Sequence, residues 1–184
     1  DVRPTGMESG VVIAPFDEAY EILTENNYEI ISLPQNAQLR IEQGAKSDVS
    51  RRYNFTREGI IYVPGENPRL VRDSPILESL ETAKEATQAH RKQRDYFLTD
   101  EQVEQSLENS VEFPISNTKI PTNRFGEEEL IVYAFGNGDS EKSRKYGEFL
   151  KSAGIEEMPV WVADLDYINQ QKSPFVRQTW FWGL

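Results

Sequence analysis

The sequence predicts a mixed domain of helices and strands, of the α+β class. The chain has 184 residues, which is the size of one domain. Hydrophobic residues make up 38% of it, an ordinary share for a folded chain. Stretches with apolar residues at helical spacing alternate with short runs rich in β-branched and aromatic residues. Two continuous apolar runs in the second half leave an alternative open, an α/β sandwich with a partly parallel sheet.

The first 72 residues are expected to be rich in strands. Phe16, Ala19, Tyr20 and Leu23 lie on one face of a helical pattern, and turn residues over 64–68 separate two β-type runs. The predicted elements are a strand over 11–14, a helix over 15–26, a strand over 28–33 and a β-hairpin over 59–72.

Helix signals are stronger in the second part of the chain. Ser74-Pro75 is a typical helix start, and the helix is expected to continue to about Phe97. Thr99 and Gln102 have the spacing of a capping box, which predicts a second helix that ends near Asn109. The later predicted elements are a buried strand over 130–135, a helix over 140–153 ended by Gly154, and a strand over 158–163.

Charge and composition narrow the class of partner. The formal net charge is −11, so the surface repels nucleic acid and anionic lipid, and neither is expected as a partner. No run approaches the length of apolar chain that a membrane span needs, and the N-terminal residues show no signal-peptide pattern. The basic character of residues 40–72 leaves open a structural subunit that docks an acidic partner through this region.

Few residues are suited to catalysis or to metal binding. The chain has no cysteine and a single histidine, His90, within a charged helical stretch. Asp164 and Asp166 have the spacing of two ligands on an extended segment, but no further ligand is identifiable. We therefore predict no catalytic residue, no metal and no cofactor, and a chain that is not an enzyme.

One loop has the composition of an anion site. Gly136, Gly138, Ser140 and Lys142 lie between a predicted strand and a predicted helix. Helix N-terminal amides attract anions, and glycines allow a phosphate to approach the main chain. The alternative function is therefore a small α/β enzyme or phosphate-binding domain that uses this loop. An ordinary glycine turn with Asp139 or Ser140 as the helix cap explains the same residues.

The C-terminal residues are unusually aromatic. Trp180, Phe181 and Trp182 follow one another, with Gly183 next. On a strand, Trp180 and Trp182 share one face while Phe181 takes the other. Tryptophan is enriched in the residues that dominate binding energy, so Trp180, Trp182 and Gly183 are the candidate ligand-binding residues.

At this tail the chain resembles the variable proteins of archaeal and viral diversity-generating retroelements. The matching segments are Thr99–Glu104, Pro121–Gly126, Tyr146–Leu150, Met158–Trp161 and Arg177–Phe181. The resemblance implies a C-type-lectin-like mixed sheet with two or three helices. It implies a recognition or display protein in which side chains at a C-terminal surface vary on a rigid scaffold.

The resemblance has further consequences for this chain. The positions just after Phe181, which are Trp182 and Gly183, would begin the variable region, and that region would continue past Leu184. The ligand would be a protein or another macromolecule, and the cell surface or a virion is the implied location. Residues 73–184 would form the C-type-lectin-like part and residues 1–72 a β-rich part packed on it as one compact unit.

Overall fold

The computed structural model describes residues 1–5, 8–181 and 183–184. The helices are α1 Phe16–Glu25, α2 Leu33–Gln43, α3 Asp48–Arg51, α4 Leu80–Arg91, α5 Asp100–Leu107, α6 Glu129–Gly136, α7 Ser140–Ser152 and α8 Leu165–Gln170. The strands are β1 Arg3–Pro4, β2 Gly10–Val11, β3 Asn54–Tyr62, β4 Arg69–Val71, β5 Tyr96–Phe97, β6 Ser110–Glu112, β7 Thr118–Pro121, β8 Glu157–Val160 and β9 Phe175–Phe181. Short 3₁₀ turns lie at Pro75–Leu77 and Thr122–Arg124.

A five-stranded sheet in the order β5-β9-β3-β4-β6 forms the centre of the molecule. Two small sheets, β1-β2 and β7-β8, lie outside it, and every pairing among the described strands is antiparallel. The predicted α+β class is therefore confirmed, and the partly parallel alternative is wrong for the described strands. The described residues contain more helices than the two or three that were expected.

A β-bulge divides the β3–β9 pair. Phe55 lies opposite Trp180 and Gly59 opposite Gln178, so four steps along β3 match two along β9. At the bulge the main chain of Arg57 turns outward: its N–H donates to Ile31 O at 3.0 Å, and its carbonyl accepts from Ser74 N at 2.9 Å. The bulge thus joins the sheet to the segment before α2.

The sheet is buried on both faces along the middle of β3. One core cluster joins β3 and β9 to α2, α6 and α7, and its fully enclosed aromatic side chains are Tyr62, Phe125, Tyr146 and Phe175. A second cluster on the other face contains Ile61 and Val71, with partly buried side chains from α1 and α4 packed against it. Burial on both faces fixes the register of the central strands.

Several predicted elements are confirmed. The amphipathic stretch forms α1, and the hairpin forms β3 and β4. The capping box of α5 is present in full, because Thr99 Oγ1 accepts from Gln102 N and the Gln102 side chain accepts from Thr99 N. α7 ends at Ser152, close to Gly154 with its positive φ of 86°.

The apolar run of residues 130–135 was expected to be a strand, and this is wrong. It forms α6, which ends at Gly136 and is followed by Asn137 in the left-handed conformation with a φ of 52°. The whole run is apolar because α6 packs between α7, α2 and β6. A short run buried on several sides has no periodicity that separates helix from strand.

Two further boundaries differ from expectation. Residues 28–32 form neither strand nor helix, and Leu33 begins α2 instead of ending a strand. The long helix expected to continue to Phe97 is a 3₁₀ turn followed by α4, which Ser79 caps through Thr82. Both helix starts carry a hydroxyl cap that accepts from the third helical amide.

Residues 1–72 contain α1, α2 and α3 besides four strands, and β3 pairs with β9 from the far end of the chain. The proposed division at residue 72 stays a prediction. None of the helices in the described ranges combines the length and apolarity that a bilayer crossing requires.

Candidate ligand-binding surface

The end of β9 presents different side chains to its two faces. Phe181 packs edge-on against Phe135, with ring centroids 5.1 Å apart, and also contacts Tyr146. Trp180 points to the opposite face and remains 50% exposed. The alternation of a strand therefore anchors the main chain in the core while it leaves one indole accessible.

Trp180 belongs to a cluster of three exposed aromatic side chains, which we call the aromatic tip: Tyr53, Phe55 and Trp180. The Tyr53 and Trp180 rings lie 5.5 Å apart, and Phe55 is the register partner of Trp180 on β3. Phe55 also meets Phe16 of α1 edge-to-face at 5.5 Å. Adjacent exposed aromatics are typical of interaction sites, because large rigid rings contribute binding area at low entropic cost.

Arg40 supports the aromatic tip from beneath. It is fully buried, and its guanidinium lies 4.6 Å from the centroid of the Phe181 ring. Its Nη1 donates to the Tyr146 hydroxyl at 3.4 Å. Burial raises the pKa of Tyr146, so this phenol stays neutral and accepts the bond. These contacts hold the core face of β9 in a single arrangement.

A buried ion pair lies under the β-bulge. Glu58 Oε1 accepts from Arg72 Nη1 at 2.6 Å, and the carboxylate also accepts from Leu33 N at the start of α2. Arg72 lies over the Tyr133 ring, 4.4 Å from its centroid. Burial raises the pKa of Glu58, while the bonds from Leu33 and Arg72 act in the opposite direction. The pair ties β3, β4, α2 and α6 together behind the tip.

The last described residues lie against α3. Leu184 N donates to Ser50 O at 2.6 Å, and a Cβ at Gly183 would lie 2.3 Å from Arg51 O. A side chain at position 183 therefore requires the main chain to move. Trp182 lies outside the described residues. The roles of Trp180, Trp182 and Gly183 in ligand contact stay predictions.

A groove of about 2060 Å³ opens beside the aromatic tip. Tyr53 and Phe55 line it together with α2, the residues around Phe16, and the segment 26–32. It also reaches Gly136 and Lys142 at the junction of α6 and α7. The tip is thus one edge of a longer concave surface.

The loop expected to bind an anion joins two helices, not a strand and a helix. Gly136 ends α6, and a Cβ there would lie 2.6 Å from Ser143 Oγ, so close packing explains this glycine. The Asp139 carboxylate caps α7 and accepts from the N–H groups of Glu141 and Lys142. A carboxylate already occupies the amides that an anion would use. Anion binding by Gly136, Gly138, Ser140 and Lys142 stays a prediction.

The structure also gives the positions of the residues that were considered for catalysis or metal binding. His90 lies exposed in α4, and Asp164 caps α8 by accepting from Asp166 N and Tyr167 N. Within the part of the chain that the structure describes, no group of three histidine, cysteine or acidic side chains is positioned to share a metal ion.

Sequence reasoning missed Tyr53 and Phe55, although a signal was present. Tyr53-Asn54-Phe55 repeats an aromatic residue at alternate positions just before a β-rich run, as Trp180 and Trp182 do in the tail. When β3 pairs with β9, Phe55 comes opposite Trp180 and Tyr53 lies beside it. The pairing of β3 with β9, more than a hundred residues apart, is what sequence alone did not provide.

No family model matches the chain, and no curated protein matches it. A solved structure from Nanoarchaeota, described as "Accommodation of massive sequence variation in Nanoarchaeota by the C-type lectin fold", superimposes with a TM-score of 0.68. The match covers 93% of this chain and 84% of that chain at 15% sequence identity. At this identity the likeness shows the fold, and the chain has a C-type lectin fold.

Proposed function

We propose that this chain is a recognition protein whose macromolecular ligand contacts the aromatic tip and the residues that follow Phe181. In this proposal the surface is diversifiable: its side chains can change while the scaffold stays fixed, as in the variable proteins of diversity-generating retroelements. Trp180 and Trp182 belong to the variable surface, and Tyr53 and Phe55 extend it across β3. Gly183 contacts the ligand but stays glycine, because a Cβ there would lie 2.3 Å from Arg51 O.

The proposal rests mainly on the difference in packing between two adjacent residues of β9. Phe181 is packed against Phe135 and Tyr146, whereas Trp180 at the preceding position is half exposed. A surface that varies needs side chains whose loss leaves the main chain in place. Exposed positions between core anchors meet this requirement, since most surface substitutions change stability by only about 0.5 kcal/mol.

The solved structure with the same fold adds support of a different kind. Its description states that this fold accommodates massive sequence variation in Nanoarchaeota. We extend that property to the present chain as part of the proposal. The extension fits the resemblance of segments 99–104, 121–126, 146–150, 158–161 and 177–181 to variable proteins.

A pair of displayed libraries tests whether the surface is diversifiable. One library randomises Tyr53, Phe55 and Trp180, and the matched control randomises Phe135, Tyr146 and Phe181. Both are sorted for protease resistance, which reports folding independently of any ligand. We expect most tip variants and few control variants to remain resistant. Equal losses in the two libraries would contradict the proposal.

Natural variation provides a second test. In closely related gene copies from the source genome, substitutions should concentrate at the exposed positions from Trp180 onward and spare Phe181. Substitutions spread evenly over the whole chain would refute the diversification part of the proposal. Ligand contact at the tip is a separate question. Selection of the tip library for binding to candidate partners tests it.

A further inference from the structure

The groove beside the aromatic tip has the size of a site for a chain, not for a small molecule. Its volume of about 2060 Å³ compares with roughly 300–1000 Å³ for typical small-molecule pockets. It is bounded by the N-terminal segment, α1, the segment 26–32, α2 and the start of β3. Gly10 lies close to Tyr28, since a Cβ added at Gly10 would lie 3.5 Å from Tyr28 Cε1.

Two stretches of the groove lining lie outside the described helices and strands. Val12 and Ile13 follow β2, and Glu29 and Ile30 precede α2, and all four line the groove. Among the described residues, none of these four forms a main-chain hydrogen bond. Main-chain amides that face a concave surface are the groups through which an added peptide strand pairs.

The groove carries balanced charge in a strongly acidic protein. Among the described residues that line it, the acidic ones equal the basic ones in number: Glu8, Glu29, Glu42, Asp48, Asp73, Arg51, Arg52, Arg57, Arg72 and Lys142. Several of these neutralise one another, since Arg57 pairs with both Glu29 and Asp73, and Arg52 pairs with Asp48. A neutral lining matches an uncharged segment better than it matches a polyanion.

Apolar side chains line the groove next to these main-chain groups. Ile13 is 62% exposed, and Phe16 and Phe55 meet edge-to-face at the border with the aromatic tip. Exposed apolar residues beside unpaired amides match the two faces of a strand, in which side chains alternate and main-chain groups point sideways.

We propose that the groove binds an extended, uncharged segment of a partner polypeptide, which pairs with the main chain of residues 12–13 or 29–30. Alternate apolar side chains of that segment pack on Ile13 and Phe16. The groove shares Tyr53 and Phe55 with the aromatic tip, whereas Trp180 does not line it. Variants of Ile13 and Trp180 therefore distinguish peptide binding in the groove from ligand binding at the tip.

Fluorescence anisotropy with synthetic peptides tests the proposal. The probe is a labelled peptide of alternating valine and serine, and the control has the same sequence with N-methyl groups on alternate residues. We expect the unmodified peptide to bind and N-methylation to lower its affinity about tenfold, because it removes main-chain donors worth about 0.5–1.5 kcal/mol each. Equal affinities, or binding of neither peptide, would overturn the proposal.

Matched variants locate the peptide. Ile13→Ala should weaken binding several-fold, whereas Ile115→Ala, at an isoleucine that is exposed to a similar degree but lies outside the groove, should leave it unchanged. Ile30→Pro, which removes an unpaired N–H, should weaken binding more than Ile30→Ala. Thermal denaturation of each variant reports whether the fold is intact. If Trp180→Ala abolishes peptide binding while Ile13→Ala does not, the peptide binds at the aromatic tip and the groove proposal fails.

Discussion

The two ends of β9 differ in packing although they belong to one strand. At the first end Phe175 and Val176 are both buried, because core clusters cover both faces of the sheet. At the other end only Phe181 packs inward, and Trp180 is half exposed. The difference shows how one strand can be fixed in register at one end and present an exposed side chain at the other.

Truncating a side chain at the packed end of β9 should cause the largest loss of stability. Phe175 is fully enclosed and stacks on Tyr62 with ring centroids 4.9 Å apart. Phe175→Ala should lower the free energy of unfolding by about 3–5 kcal/mol, measured by urea denaturation. Its register partner Phe97 is the control, since this exposed ring should contribute less than about 1 kcal/mol. Similar losses at both positions would contradict the assignment of the core.

A substitution in the tail after β9 should cause an intermediate loss of stability. A Cβ at Gly183 would meet the main chain of Arg51, which can move only with α3. Gly183→Ala should therefore lower stability by about 1–3 kcal/mol in the same assay. Leu184→Ala, which keeps the N–H bonded to Ser50 O, should have a smaller effect. If Gly183→Ala is harmless, the tail is less constrained than its packing indicates, and position 183 is free to vary.

Glu58, a buried residue at the bulge of β3, predicts a pH dependence of stability. Burial raises its pKa above the ordinary value of 4.5, so the folded chain holds this proton more tightly than the unfolded chain. The corresponding stability is fully present below pH 4.5 and is lost as the pH rises through the raised pKa.

Glu58→Gln removes this titration. The stability of the original chain relative to Glu58→Gln should fall as the pH rises from 4.5, and urea denaturation at a series of pH values measures it. Glu66→Gln, at an exposed turn residue, is the control and should show no such trend. A relative stability that rises with pH would mean that Arg72 and Leu33 outweigh burial.

Truncating the exposed Trp180 near the end of β9 should cause the smallest loss of stability. Trp180→Ala removes a ring that contacts Tyr53 and should lower the free energy of unfolding by only about 0.5–1.5 kcal/mol. Phe181→Ala should lower it several-fold more. Ligand binding should follow the reverse order, with Trp180→Ala the more damaging when the chain is tested against a selected partner. A large stability loss at Trp180 would make it part of the core.

Local signals explain which helices could be predicted. The capping box at Thr99 gave the start of α5 correctly, and an equivalent box at Ser32 and Gln35 marks the start of α2. The second box was missed because the β-type residues before it, Ile30 and Ile31, favoured a strand. α6 was assigned as a strand for a related reason, since its burial on several sides erased the helical period.

The candidate site depends on contacts that no local pattern encodes. For a strand, the tail was expected to place Trp180 and Phe181 on opposite faces, and β9 has this arrangement. Of its partner strand, only the part from residue 59 onward was predicted, and the pairing between the two strands was not. Only that pairing brings Tyr53 and Phe55 to Trp180. Arg40 entered the sequence analysis only as part of the basic stretch 40–72, and its burial was not predicted.

The bulge between Phe55 and Gly59 divides the β3–β9 pair into two paired segments with a register shift between them. An inserted or deleted residue near the tip can be absorbed at this irregular step, so the alignment of Ile60, Ile61 and Tyr62 with their partners need not slip. Lineages that carry this fold could therefore alter the length of the exposed end as well as its side chains, while the inner half of the sheet keeps the same neighbours.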